Sequence, residues 1–131
     1  MSNIIETVNS LPDLLQLKSA TITEITDAEF QLKISFADEY KEYLLAFGAI
    51  LADGIELTGI AKSDYRNVIF VTKREWALNT NVPHSLYVIE NIGVDGIIIW
   101  QDASGYIYKS TPNSKPIKIA DSLADYLKKD K

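Results

Sequence analysis

The residue types that most often carry out catalysis are scarce in this sequence. Its single histidine, His84, follows Pro83 in a polar stretch, and cysteine is absent. A Ser-His-Asp triad could use only this one histidine, and a metal site with several histidine ligands has too few of them. Disulfides and thiolate ligands are excluded. The P-loop, G-x-G-x-x-G, G-x-S-x-G and H-E-x-x-H motifs do not occur. We predict a protein that is not an enzyme and that has no catalytic, cofactor-binding or metal-binding residues.

Carboxylates stand near one another at several places, and each place has a structural explanation. They are Asp38, Glu39 and Glu42 at a predicted helix start, and Asp53, Glu56, Asp95 and Asp102 in or beside predicted turns. Negative charge at a helix start interacts favourably with the helix dipole, and Asp in a turn forms hydrogen bonds with the nearby backbone. No calcium loop of the EF-hand type is present. A hydrolase that uses two carboxylates stays open as a minor alternative.

Aromatic residues are the other candidates for function, because Tyr and Trp bury much area at protein interfaces at low entropic cost. The candidates are Tyr65, Trp76, Trp100 and Tyr106. Trp100 closes an apolar run and is predicted to lie in the core. Tyr65 and Trp76 stand among charged residues, so interface and core positions both stay open for them.

The charge balance constrains the partner. Thirteen Lys and Arg against eighteen Asp and Glu give a net charge of −5 and a pI near 4.8. Nucleic-acid binding needs a positive surface that displaces counterions from phosphates, so we predict no nucleic-acid partner. The acidic balance favours encounter with a basic partner, although mild acidity also serves solubility alone. Lys128, Lys129 and Lys131 fit a solvated helix end.

No targeting or membrane segment is recognisable. Residues 1–6 lack the basic region and following apolar stretch of a signal peptide. The longest apolar runs, such as residues 96–100, fall far short of the ~18–20 residues that span a bilayer. We expect a cytoplasmic protein without membrane contact.

Helical patterns dominate the first third of the chain. Apolar residues recur at helical spacing from Ile4 until Pro12 interrupts the run. Thr21 and Glu24 fit a capping box, in which hydroxyl and carboxylate satisfy free amides reciprocally. This pattern predicts a helix over residues 22–32.

A further helix and an ambiguous stretch follow. Ser35 and Asp38 repeat the start signal and Gly48 supplies a left-handed stop, so a helix is predicted between them. Residues 67–79 begin with strand formers and continue with helix formers, and Asp64 is placed to cap a helix there. Propensity alone leaves helix and strand open for this stretch.

The remaining patterns predict strands and a last helix. Residues 55–60 alternate between apolar and polar, and residues 86–90 and 96–100 are rich in β-branched side chains. Residues 97–109 contain a central turn signal and predict a hairpin. Asp121 is predicted to cap a C-terminal helix.

The order and spacing of these patterns resemble the SUKH superfamily, also called Smi/Knr-like after fungal regulators of cell-wall synthesis. The matching segments are residues 23–29 (TEITDAE), 40–44 (YKEYL), 47–48 (FG), 54–60 (GIELTGI), 72–76 (TKREW), 88–96 (VIENIGVDG) and 122–127 (SLADYL). Phe36 and Ala37 stand where the family often has Leu-Pro, a departure of little cost at a first helical turn. The resemblance covers residues 22–127 and favours a helix for residues 67–79.

The resemblance implies one domain over residues 1–131 with an α+β fold. A mainly antiparallel sheet would be packed by N-terminal helices, a middle helix and a C-terminal helix. Bacterial members look like immunity proteins of polymorphic toxin systems, which bind a cognate toxin and neutralise it by occlusion. The implied partner is a toxin domain, and the acidic charge of this chain suits a basic nuclease. We predict a monomer or a weak homodimer and no cofactor.

Two other functions stay open. One is an intracellular protein-interaction or regulatory module, for which the fungal relatives are the precedent, and the other is a small-molecule-binding domain. If the protein is an immunity protein, its partner-binding residues should lie in or beside loops that join sheet elements and contribute charge or aromatic area. The predicted residues are Asp53, Glu56, Asp64, Tyr65, Trp76, Asp95 and Asp102.

Overall fold

The computed structural model describes residues 3–129 of the chain. The helices are α1 (Ile4–Asn9), α2 (Ile22–Leu32), α3 (Asp38–Phe47), α4 (Val68–Leu78) and α5 (Leu123–Lys129), and a 3₁₀ turn occupies Asp64–Arg66. The strands are β1 (Leu15–Gln16), β2 (Ile50–Ala52), β3 (Ile55–Leu57), β4 (Tyr87–Asn91), β5 (Ile98–Gln101), β6 (Ile107–Ser110) and β7 (Ile117–Ala120). The predictions for the N-terminal segment and for the terminal lysines rest partly on Met1, Ser2 and Lys131, which lie outside the described residues.

Two antiparallel sheets form the centre of the described chain, one in the order β1-β2-β3 and one in the order β4-β5-β6-β7. They meet where the backbone N–H of Thr58, just after β3, donates to the carbonyl oxygen of Ile89 at 2.9 Å. Ile89 lies at a register shift in β4, and such a bulge interrupts the normal ladder and leaves a residue unpaired. The predicted α+β class with antiparallel sheets and packed helices is confirmed.

The core has two parts because successive strand residues face opposite sides of a sheet. Ile99 belongs to the main core, which packs α1, α2, α3 and α5 against the sheets. Its neighbours Ile98 and Trp100 belong to a smaller cluster that also contains Val71 of α4. The side chain of Trp100 is fully buried, so its predicted core position is confirmed.

Several local predictions are confirmed in detail. The Thr21 hydroxyl accepts from the backbone N–H of Glu24, and the Glu24 carboxylate accepts from that of Thr21, so the capping box forms. Gly48 ends α3 with φ +73°, a value that L side chains rarely adopt. A Cβ at Gly48 would also collide with the carbonyl oxygen of Lys18. Only glycine therefore fits at this turn.

The start of α3 differs from the prediction, because Ser35 does not cap it. The residue at the cap position is Ala37, and no side chain bonds the first turn from there. The Ala37 N–H instead donates to the Tyr87 hydroxyl at 3.0 Å, and the Phe36 N–H donates to the Glu29 carboxylate at 2.8 Å. Tertiary partners thus hold the two residues that precede the helix, and no side chain at the cap position bonds its first turn.

The cap of α5 also differs, because Asp121 does not supply it. The Ser122 hydroxyl accepts from the N–H of Asp125, and Asp121 pairs with Lys118 at 2.8 Å instead. The first two N–H groups of α5 donate to Glu39 of α3, at 2.7 and 3.0 Å. The start of this helix is therefore capped both by the adjacent Ser122 and by a residue distant in sequence.

The ambiguous stretch forms the helix α4, as the family resemblance indicated. Asp64 does not cap it; it opens the 3₁₀ turn, and the Asn67 side chain accepts from the Ile69 N–H at 2.9 Å. Strands β1, β2 and β7, of two, three and four residues, were not predicted. Two or three residues, as in β1 and β2, show too little alternation to be recognised without a neighbouring turn signal.

Candidate functional site

Helix α4 and the 3₁₀ turn before it present a continuous surface of aromatic, aliphatic and basic side chains. We call this surface the α4 face and define it as Tyr65, Arg66, Phe70, Lys73, Arg74 and Leu78. Tyr65 is 66% exposed, Phe70 43% and Leu78 70%, although each is large and apolar or aromatic. Large exposed apolar groups that lie together mark interaction surfaces more often than single ones do.

The orientation of the α4 face is fixed by contacts on the opposite side of the helix. Val68 and Val71 are buried, and the Thr72 hydroxyl accepts from the backbone N–H of Val88 in β4 at 3.0 Å. The helix start is held as well, because the Val68 N–H donates to the carbonyl of Gly59 at 2.9 Å. With one side of α4 bound to the sheet, the residues on the other side must face outward.

Both arginines of the α4 face lie beside an aromatic ring and a carboxylate. Arg66 lies 5.9 Å from the centre of the Tyr65 ring, and Arg74 lies 5.8 Å from that of Phe70. Arg74 Nε donates to Glu75 Oε2 at 3.2 Å. These contacts limit the rotation of the rings and guanidinium groups, so less entropy is lost when a partner binds.

The contact between Arg66 and Glu56 is an ion pair without a hydrogen bond. Arg66 Nε is shielded from solvent and lies 3.3 Å from Glu56 Oε2, but it makes no hydrogen bond. Because both side chains are partly exposed, solvent screens their attraction and the pair stabilises the fold by less than about 1 kcal/mol. A guanidinium with five N–H donors retains capacity for a further acceptor.

A cleft of about 200 Å³ opens beside these residues. Its walls include Glu56, Tyr65, Arg66 and Arg74, together with Asn91 at the end of β4 and Gly93 of the turn that follows. Three of the predicted partner-binding residues thus lie in one region, since Glu56 and Tyr65 line the cleft and Asp64 precedes Tyr65 in the 3₁₀ turn. This is where the structure brings the predicted residues together.

The other predicted residues lie elsewhere. Asp53 occupies the turn between β2 and β3, and Asp95 occupies the turn between β4 and β5 with φ +55°. Asp102 begins the turn after β5, where its carboxylate accepts from the N–H groups of Ser104 and Tyr106, both at 3.0 Å. Asp102 is therefore engaged in shaping its own turn.

Trp76 lies on α4 but is partly buried on the side of the smaller core. Its ring stacks on His84 with 4.4 Å between ring centres, and its N–H donates to the Leu86 carbonyl at 2.9 Å. This contact gives the only histidine of the chain a structural role.

Five members of the α4 face were not among the predicted residues: Arg66, which precedes the helix, and Phe70, Lys73, Arg74 and Leu78 of the helix itself. Their helical grouping was hidden because residues 67–79 fitted strand and helix equally. Phe70, Arg74 and Leu78 are spaced four residues apart, as side chains on one side of a helix are. This spacing in the sequence could have indicated the surface.

Two larger concave regions are also present. A groove of about 670 Å³ shares Arg66 with the cleft and has Leu17, Ile60 and Ile69 on its walls, with Lys18 and Lys62 among its polar residues. A second concavity, of about 680 Å³, is lined by carboxylates of Asp38, Glu39, Asp121 and Asp125. Glu39 is already occupied by the N–H groups of α5, and Asp121 by Lys118.

Three tyrosines with raised pKa values belong to the core and not to these surfaces. Burial raises the pKa of Tyr40, Tyr43 and Tyr87 well above the ordinary value of 10.0. The Tyr40 hydroxyl bonds the Thr58 hydroxyl at 2.9 Å, and the Tyr43 hydroxyl donates to the Thr58 carbonyl at 2.8 Å. These groups stay neutral and join α3 to the segment after β3.

Two other kinds of site are not found in the part of the chain that the structure describes. Within residues 3–129, no group of three or more His, Cys, Asp or Glu side chains is placed to hold a metal ion. No helix in that same range is both long and apolar enough to cross a membrane.

Comparison with known proteins places the chain in a family. No curated protein matches it. A crystal structure of a protein from Pseudomonas syringae pv. tomato has the same fold, with a TM-score of 0.75 and 18% identity over 98% of this chain and 96% of that one. The model of a family described as SUKH_5, SMI1-KNR4 cell-wall, matches residues 1–130. Because this match covers nearly the whole chain, the protein belongs to the SUKH_5 family of Smi/Knr-like domains.

Proposed function

We propose that the protein is an immunity protein, which binds a cognate toxin domain of a bacterial polymorphic toxin system in the cytoplasm and neutralises it by occlusion. The observation that carries the proposal is the α4 face, where Tyr65 and Leu78 are exposed beside arginines on a rigidly held helix. The protein would act by covering the toxin and would perform no catalysis. Its family membership supports a role in protein–protein interaction.

The composition of the α4 face suits a protein interface. Tyr and Arg are enriched among residues that dominate binding energy, because they combine buried area with directional polar contacts. The α4 face has Tyr65, Arg66 and Arg74 in contact with one cleft. Their side chains are already ordered by the ring and carboxylate contacts described above, which lowers the entropic cost of binding.

Co-expression tests the proposal directly. Cells that express the toxin domain encoded beside this gene should grow when this chain is co-expressed. The double variant Tyr65→Ala/Leu78→Asp should lose this rescue while the protein stays folded. Ile117→Asp is a matched control, because Ile117 is 68% exposed on β7 and lies outside the α4 face. Failure of rescue against every neighbouring toxin would contradict the proposal.

A regulatory interaction module is the second candidate, favoured by the description of the matching family as SMI1-KNR4 cell-wall. It would use the same kind of protein-binding surface but would have a resident cellular partner. Deletion of the gene separates the two functions. A growth or cell-wall defect in the absence of any toxin gene favours the regulator, whereas a defect that needs the toxin favours immunity.

A small-molecule-binding domain is the third candidate, and the groove of about 670 Å³ is its supporting observation, because its size suits a small ligand. A ligand that binds the folded state raises its stability, so a thermal-shift screen against metabolites tests this candidate.

A further inference from the structure

We infer that the α4 face binds an acidic surface of the partner protein that also carries apolar side chains. The inference rests on the proposed protein-binding function and adds the chemistry of the partner surface. It differs from what the net charge of −5 suggests, because the charge of the contact region is opposite to that of the chain as a whole.

The outward side of α4 carries positive charge and no exposed carboxylate. The single acidic residue between Val68 and Leu78 is Glu75, which is buried and bonded to Arg74. Lys73 is exposed, and among residues 3–129 it makes no ion pair. Glu56 neutralises Arg66 in part, and Asp64 lies at the edge of the face. A partner carboxylate opposite Lys73 would therefore gain an attraction for which no ion pair within residues 3–129 competes, and Arg74, although bonded to Glu75, has further N–H groups to donate to the same surface.

The apolar residues of the α4 face set a second requirement. Phe70 and Leu78 are eight residues apart on α4, which corresponds to about 12 Å along the helix axis. At about 100° per residue, Phe70, Lys73, Arg74 and Leu78 all fall within an arc of about 140°. One flat surface can contact all four, so the partner should place carboxylates between two apolar contacts.

These requirements select a protein surface over a nucleic acid. A phosphate backbone would satisfy the three cations but would leave Phe70, Leu78 and Tyr65 without apolar partners. The overall charge of −5 would also repel a polyanion at longer range. An acidic protein surface has fewer charges per area and supplies the apolar contacts as well.

Selection from a library of random peptides displayed on phage tests the inference without knowledge of the toxin. The full chain is the target. We expect enriched peptides to combine Asp or Glu with apolar residues. We expect them to bind the variant Lys73→Glu/Leu78→Asp at least about tenfold more weakly, because charge and apolar contact are both lost. Nuclear magnetic resonance with labelled protein should place the largest shifts at α4 and the 3₁₀ turn.

The control variant is Lys109→Glu/Ile117→Asp, which makes the same two changes at an exposed pair of cross-strand neighbours on β6 and β7. It should bind the selected peptides as well as the unaltered protein does, and thermal melts should show both variants folded. Enrichment of basic or purely polar peptides, no enrichment at all, or equal binding by both variants would overturn the inference. Peptide binding is independent of toxin rescue, so this inference and the proposed function can fail separately.

Discussion

The carboxylate of Glu39 accepts a hydrogen bond of 2.7 Å from the backbone N–H of Leu123, a residue 84 positions later in the chain. It also accepts from the N–H of Ala124 and from the side-chain amide of Gln101, at 3.0 and 2.9 Å. One buried side chain of α3 thus caps α5 and bonds β5. Its charge is compensated by these donors and by the helix dipole at the start of α5.

Replacement of Glu39 should therefore destabilise the whole fold. We expect Glu39→Ala to lower the free energy of unfolding by about 3 kcal/mol, because it leaves buried N–H donors without an acceptor. Urea denaturation followed by circular dichroism measures this change. Glu42→Ala, at an exposed position of the same helix, is the control and should cost less than about 0.5 kcal/mol. Equal effects of the two variants would contradict the capping role.

Alkaline pH should unfold the protein through its buried tyrosines. The pKa values of Tyr40, Tyr43 and Tyr87 are raised in the folded state, so their contribution to stability is complete below pH 10. Above pH 10 the unfolded chain loses these protons and the folded chain keeps them. The free energy of unfolding should then fall by about 1.4 kcal/mol per pH unit for each tyrosine.

Denaturation midpoints measured across this pH range test the expectation, with ultraviolet absorbance reporting tyrosinate. Tyr87→Phe should reduce the slope of the free energy of unfolding against pH by the contribution of one tyrosine. A free energy of unfolding that stays constant above pH 10 would show that these hydroxyls ionise without unfolding.

Substitution of Gly48 should be far more costly than substitution of another glycine with positive φ. Gly48→Ala forces a Cβ against the Lys18 carbonyl, and we expect a loss of about 3 kcal/mol. Gly93, with φ +82°, has open space around it, so Gly93→Ala should cost only about 1 kcal/mol for the backbone conformation. Thermal melts of the two variants give the comparison, and similar melting temperatures would contradict the steric explanation.

Two of the predicted partner-binding residues should separate stability from binding. Asp102→Ala removes the acceptor of bonds from Ser104, Tyr106 and the Tyr108 hydroxyl, so it should cost about 2 kcal/mol of stability. Tyr65→Ala removes an exposed ring and should change stability by less than about 0.5 kcal/mol while weakening binding to the selected peptides. Denaturation and peptide titration of both variants measure these effects. A stable Asp102→Ala, or full binding by Tyr65→Ala, would contradict the assignment.

Sequence signals predicted those parts of the fold that are held by interactions between residues close together in the chain. The capping box at Thr21 defined α2 because its two hydrogen bonds join residues three apart. The β5–β6 hairpin was predicted because its turn residues are adjacent in sequence to the two strands that they connect. The prediction assigned the cap of α5 to Asp121, whereas the neighbouring Ser122 supplies the local cap and Glu39 accepts from the first two N–H groups. Because Glu39 is 84 residues from Leu123, its part leaves no local trace.

The candidate site was predicted less well for a related reason. Tyr65 was recognised from its residue type, but Phe70, Arg74 and Leu78 form a surface only once α4 is known to be a helix. That helix depends on burial of Val68 and Val71 against the rest of the fold, which outweighs the strand propensity of its first residues. Propensity within residues 67–79 could not decide between the two structures, and the family resemblance did.

The residues of helix α4 fall into two groups, one that packs against the rest of the fold and one that faces outward. Val68, Val71 and Thr72 hold the helix to β4, whereas Lys73 and Leu78 support nothing else in the described chain. Outward positions can therefore be exchanged without rebuilding the scaffold. An engineer could transplant a different set of outward residues onto α4 and redirect the protein to a new target, and natural selection could diversify recognition in the same economical way.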